Sequence, residues 1–234
     1  MNNILKSALV TKQVMDEGEL ALINRQTLRP LKSEEVFVFR LAACNDQVDR
    51  DNERFTKEAL EQMARLFVGR PVLMDHRWSA KSQTARVYAG QVELSDGTAT
   101  LILRCYMPRT EGTQETVAAI EGGILRECSV GLAIGKAVCS ICGTDQTEAV
   151  CQHRGGREYD GKLCWFDLSD VEDAYEVSLC AVPSQPEAGV VKSKRYGGQE
   201  KQVPNPAEAG YEEALRMAQA IQAQEEKRYG GIEV

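Results

Sequence analysis

A chain of 234 residues, 43% hydrophobic and 27% charged, suits one globular domain of ordinary size with an appendage, because single cores stop growing near about 250 residues. Its net charge of −7 and pI near 5.1 repel a phosphate backbone, so no nucleic-acid partner is expected. No apolar run approaches the roughly 20 residues that cross a bilayer, and residues 1–14 lack a signal-peptide core, so cytoplasmic synthesis without a membrane partner is the expectation.

In residues 1–35 the only strand-like run is Leu20-Ala21-Leu22-Ile23-Asn24. Val36-Phe37-Val38-Phe39-Arg40-Leu41-Ala42-Ala43 is rich in branched and aromatic side chains and predicts a core strand. Residues 45–53 carry Asp46, Asp49, Asp51 and Glu53 in an alternation like calcium-loop oxygens. They lack the glycine and distal glutamate such a loop needs, which leaves a solvated loop. Thr56 can cap a helix with Leu60, Met63, Ala64 and Phe67 on one face, ended by Gly69 and Pro71.

Val72-Leu73-Met74 predicts a brief buried strand that delivers Asp75-His76 to its end. The strands 87–94 and 98–106 flank Ser95-Asp96-Gly97, a hairpin signal, since glycine accepts the positive φ of the turn. A short helix over 114–120 closes at Gly122-Gly123. Further strands are predicted around Ser129 and over 163–168 and 175–182. Many short strands, two short helices and no βαβ rhythm predict a mainly β (α+β) fold, an antiparallel β-barrel with peripheral helices over residues 1–191. Residues 192–234 read as a linker followed by an exposed helix over 207–227, which could pair with a partner. Lys194-Arg195-Tyr196-Gly197-Gly198 recurs as Lys227-Arg228-Tyr229-Gly230-Gly231 around it, as two flexible ends or a matched pair of cleavage sites.

The chain has two histidines and eight cysteines. Cys139-x2-Cys142 followed by Cys151-x-His153 supplies three sulfurs and an imidazole, a set that suits tetrahedral zinc in a small insertion over about 136–164. Cys164 is an alternative fourth ligand to His153. Four protein donors close the coordination sphere, so the predicted zinc is structural. His76 is then the free general base. Ser129 is the candidate nucleophile, with Cys128 its rival, although strand alternation sends the two to opposite faces. Gly131 and Gly122-Gly123 would open backbone N–H groups to a substrate carbonyl. A carboxylate must orient the imidazole. Glu176, inside an apolar strand, leads Asp173 and Asp170, and a plain ion pair there is an equal alternative.

In order and spacing, Arg54-Phe55-Thr56 through Leu60, Gly69-Arg70-Pro71-Val72-Leu73-Met74-Asp75-His76, Cys128-Ser129-Val130-Gly131-Leu132, Glu176-Val177-Ser178-Leu179 and the segment from Val182 to Ala188 resemble the motifs of tailed-phage prohead proteases. These are capsid-maturation serine peptidases of the HK97 type, related in fold to herpesvirus assemblins, and the resemblance spans roughly residues 30–190. It implies His76 as base, Ser129 as nucleophile and Glu176 as third member on a compact β-barrel. It implies action on scaffold, or on the scaffolding region of the major capsid protein, inside the immature capsid in the host cytoplasm, with self-association there. The Cys/His insertion departs from the simplest members and is open to a place near the substrate cleft; Cys180 and Ser184 replace more typical Val and Ala. Two other readings stand: a catalytically silent, zinc-stabilised capsid assembly protein, and a zinc hydrolase using His153 with a carboxylate.

Overall fold

The apolar run at residues 20–24 is helical, not extended. A computed structural model describes residues 17–185 and 188–191, and its first element is α1, Glu17–Asn24. Glu17 and Glu19 stand in its first turn, where carboxylates favour the exposed N–H groups. Glu19 also accepts hydrogen bonds from Tyr88 Oη at 2.9 Å and Arg104 Nη1 at 3.0 Å, while Ile23 is buried with Val36, Tyr88 and Tyr106. These contacts with distant strands decide the segment's conformation over its local pattern. The linker, the helix and the paired Lys-Arg-Tyr-Gly-Gly segments expected at 192–234 lie outside the described residues.

β1 spans Val36–Asn45. In the acidic loop that follows, Asp49 Oδ1 accepts the backbone N–H groups of Asp51 and Glu53, both at 2.9 Å, and Asp46 Oδ1 accepts that of Ala99 at 3.0 Å. Asp49 thus orders the turn itself, a common use of a short polar side chain, while Asp46 ties the loop to Ala99. After β2, Glu53–Phe55, Thr56 Oγ1 caps α2, Lys57–Leu66, by accepting from Ala59 N at 3.2 Å. Leu60, Met63 and Ala64 face the core together with Phe67, and Gly69 ends the segment at φ 87°. β3, Pro71–Met74, follows; then β4, Ala85–Ser95, and β5, Thr98–Pro108, meet at Asp96 and Gly97 with φ 50° and 84°. Two successive left-handed residues are what a tight type I′ hairpin turn demands.

α3 covers Gln114–Glu121, β6 Cys128–Cys139, a small hairpin β7 (Glu158–Tyr159) and β8 (Lys162–Leu163), β9 Phe166–Leu179, and β10 Gly189–Val191. The two late strands expected from sequence are one 14-residue strand, β9. Its polar middle stays in the ladder, despite a left-handed Asp170 at φ 53°, because β6 pairs along it through two bulges, while Asp170 and Asp173 bond Lys136 and Arg70 at 2.8 and 2.6 Å.

Mainly β architecture is therefore observed, but the sheet is mixed. Its order is β10-β1-β5-β4-β3-β9-β2, with β6 also on β9, and both β2 and β3 run parallel to β9. The parallel pairs arise because α2 carries the chain from β2, beside the start of β9, to β3, beside its end. The ladders among the described residues do not close a barrel; an isolated bridge, Glu127–Gly189, links the entry of β6 to β10. No helix among the described residues is long and apolar enough to cross a membrane.

The core gathers Leu41, Leu101, Leu103 and Val177 from the sheet against Leu60 and Met63 of α2. The helix approaches β4 so closely that a Cβ on Gly90 would run into the Ala64 carbonyl. Gly90→Ala should therefore lower stability by about 1–3 kcal/mol, as overpacking does. The measurement is the urea midpoint at constant slope, and an unchanged midpoint would refute the close contact.

Candidate active site and metal centre

β3, β9 and β6 lie side by side, and their register decides what meets on one face. Val72, Leu73 and Met74 pair with Val177, Ser178 and Leu179, while Ser129, Val130 and Gly131 pair with Ser178, Val177 and Glu176. Just past β3 the chain turns sharply. Asp75 and His76 both adopt φ 52°, a left-handed conformation that costs roughly 1–2 kcal/mol for each non-glycine residue. The turn is held by Asp75 N donating to Leu179 O at 3.0 Å and Arg77 N to Met74 O at 3.1 Å. It brings the His76 ring back over β9, where Nδ1 lies 2.7 Å from Glu176 Oε1.

Glu176 is 2% exposed, so its carboxylate depends on protein partners. Its other oxygen accepts a 2.6 Å hydrogen bond from Ser178 Oγ, which in turn accepts the backbone N–H of His76 at 3.0 Å. Sequence reasoning overlooked this role of Ser178. The available signal was Glu176-x-Ser178: strand alternation puts both on one face, and a buried acid calls for a donor beside it. Ser178 is fully buried and engaged on both sides. A neutral imidazole that donates Nδ1–H to the carboxylate would leave Nε2 its lone pair, and Nε2 makes no hydrogen bond among the described residues.

Ser129 stands directly across from Ser178, so its side chain projects from the face that carries Glu176. It is half-buried and makes no hydrogen bond to His76 among the described residues. Cys128 points the other way. It is fully buried in the core, its Sγ is 3.7 Å from Ala42 O, and burial pushes its thiol well up, all contrary to a nucleophile. The other candidate carboxylates are engaged elsewhere: Asp173 Oδ1 accepts from Arg70 and from Ala174 N, and Asp170 pairs with Lys136. Gly131 has a definite reason to be glycine, because a Cβ there would strike Glu176 Oε1 and lie 3.2 Å from its carboxyl carbon.

At the other end of the β6–β9 pair lies the Cys/His insertion. Ligand atoms of Cys139, Cys142, Cys151 and His153 all fall within 4.8 Å of one another. Cys139 ends β6, and the others come from the loop that returns to β9. Cys139 N donates to Thr144 O and Gly143 N to Cys139 O, both at 2.9 Å, so a tight turn gathers the first two sulfurs. The donor set fits a metal ion: three thiols converge on an imidazole whose buried Nδ1 has no hydrogen-bond partner. Hydrogen bonding with Thr144, side chain and backbone, brings the Cys142 thiol down to about 6, toward the thiolate that ligation requires. Cys164 is buried with its Sγ 3.9 Å from that of Cys139, beside the four-donor group rather than in it. Ten positions of β6 separate Cys139 from Ser129, about 33 Å at strand rise, which puts the first donor of the cluster at the opposite end of that strand from the candidate nucleophile.

Compared with protein-family models, curated proteins and solved structures, the chain matches none.

Zinc added to metal-free protein should bind as a single ion and shield Cys142 and Cys151 from iodoacetamide. The buried Cys44, Cys105 and Cys128, whose thiols are raised by desolvation, should remain unlabelled throughout. Equal labelling of Cys142 with and without the ion would remove the metal assignment. Gly131→Ala should displace the Glu176 side chain and abolish the low-field Nδ1–H proton resonance of His76. Retention of that resonance in the variant would refute the crowding argument.

Proposed function

We propose that the chain is a serine endopeptidase of the prohead-protease type. The observation that carries this reading is the 2.7 Å His76–Glu176 contact on the face to which the β6–β9 register directs Ser129. His76 Nε2 takes the Ser129 proton as Oγ attacks the scissile carbonyl, then returns a proton to the leaving amine. Glu176 fixes the tautomer and stabilises the imidazolium, and Ser178 holds both partners in position. Backbone N–H groups around residues 129–131 receive the developing oxyanion. The missing Ser129–His76 hydrogen bond accords with this role, because such bonds are often long without substrate and tighten in the complex.

The substrates under this reading are scaffold or the scaffolding region of the major capsid protein, cut inside an immature capsid in which the protease self-associates. What supports them is the resemblance, in order and spacing, of the segments from Arg54 to Ala188 to the motifs of capsid-maturation peptidases. The Glu127–Gly189 bridge supports a sheet that curls toward the barrel expected of that family. For the metal, three sulfurs and one imidazole favour zinc. The roughly 3.8 Å ligand separations of a tetrahedral zinc–thiolate site accord with the cluster's dimensions. Four protein donors fill the sphere and leave no open position for a water or substrate, so a zinc hydrolase is the poorer reading.

The test is mass spectrometry of capsid proteins co-expressed with the wild type and variants. Ser129→Ala should leave scaffold uncut, with turnover lower by about 10⁶-fold, and Glu176→Gln should reduce it by about 10⁴-fold. Cys128→Ser should still cut. Normal processing by Ser129→Ala would instead indicate a catalytically silent assembly protein.

A further inference from the structure

We propose that Trp78 and Tyr175 form an aromatic subsite that takes an apolar side chain of the peptide presented to His76 and Ser129; the assignment deepens the peptidase reading and rests on it. Each ring comes from an element that also delivers a member of the candidate triad. Trp78 lies two residues beyond His76, past the left-handed turn, and Tyr175 immediately precedes Glu176.

Tyr175 owes its direction to a bulge. The β6–β9 ladder passes from the pair Gly131–Glu176 to the pair Leu132–Ala174, which leaves residue 175 without an opposite number. Bulges beside active sites re-aim side chains in this way. The re-aimed ring meets Trp78 with centroids 5.4 Å apart and planes at 60°. Contact between the rings does not bury them: Trp78 remains 72% exposed and Tyr175 38%. Burial of a large apolar side chain is favourable roughly in proportion to the area covered, and this exposed tryptophan leaves most of that gain unrealised until something covers it.

The surroundings select an apolar occupant rather than a cation over the ring faces. Asp173 is bonded to Arg70 at 2.6 Å, and Glu176 is buried against His76, so both nearby β9 acids already have partners. Asp75 and Arg77, which flank His76 in the turn, contribute one charge of each sign. Among these groups the one negative charge without a cationic partner is that of Glu176, which is buried and held by His76 and Ser178, so little draws a lysine or arginine to the rings, and the surface they offer is hydrocarbon.

A randomised peptide pool digested by the full-length protein, with cut sites read by mass spectrometry, tests the subsite. The wild type should show enrichment of Leu, Ile, Val, Met or Phe at one fixed position relative to the cut. Trp78→Ala should erase that enrichment, lowering relative cleavage of the favoured peptides by about 10–200-fold and leaving preferences at other positions in place. Enrichment that survives Trp78→Ala, or enrichment of Lys or Arg at that position, overturns the proposal. A second arm needs no turnover. In Ser129→Ala protein, acetylated Leu-containing peptides should shift tryptophan emission saturably, Lys-containing ones should not, and Trp78→Phe should remove the shift. If the unmodified protein turns over neither the pool nor an activated ester, the peptidase reading has failed. The fluorescence arm then decides the aromatic site, and absence of a Trp78-dependent shift overturns it.

Discussion

A carboxylate buried in the middle of a sheet is the constraint on which the candidate site depends. Glu176 has little access to water, and an unpaired charge there would be strongly destabilising. Three features answer it together. Ser178 donates to one oxygen, the His76 ring lies against the other, and Gly131 on the adjacent strand has no side chain to compete for the space. None of the three is an isolated convenience. Removing the serine would leave a lone pair unsatisfied, and adding a methyl at residue 131 would push the carboxylate off its partners.

The same carboxylate accounts for the strained turn before it. Two consecutive left-handed residues, neither of them glycine, persist only where surrounding contacts over-determine them, and such strain concentrates at functional sites. Here the backbone of Asp75 is tied to Leu179 and that of His76 to Ser178, both on β9. One strand therefore holds the turn, supplies the acid that orients the imidazole, and pairs with the strand carrying Ser129. An imidazole 42% exposed on its outer side and anchored on its inner side is free to act on what arrives from solvent.

How much of this was legible in the sequence depends on the range of the interaction. Thr56 as a helix cap, Asp96-Gly97 as a hairpin turn and Cys139-x2-Cys142 as half of a metal cluster are local codes, and each element forms where its code stands. The pairing of positions 76 and 176 followed from chemistry, since a buried acid in an apolar strand needs a partner. What eluded sequence reasoning was non-local. α1 is helical because Glu19 reaches Tyr88 and Arg104, residues far along the chain. The parallel pairs of β9 depend on where α2 sets down β3, and the unity of β9 depends on ion pairs to Lys136 and Arg70 that bridge its polar middle. Ser178 was hidden by its ordinariness: a serine in a strand becomes informative only when the residue two positions away is a buried acid.

The metal centre and the candidate site occupy opposite ends of one strand pair, and the geometry of strands gives that separation a meaning. Side chains alternate with period two, so a slip of one residue between β6 and β9 would send Ser129 into the core and Cys128 out to the imidazole. Two bulges in this pairing offer places where such a slip could be absorbed. The loop joining the two strands bears the four donors, the first of them at the last residue of β6. An ion held by Cys139, Cys142, Cys151 and His153 would fix that loop's path and with it the alignment in which β6 ends and β9 begins. From there the alignment is transmitted by the ladder itself to Ser129 and Ser178, ten residues of β6 away from Cys139. An ion so placed would need no contact with the His76–Glu176 pair to matter there, because it would help set which residue of β6 faces the histidine.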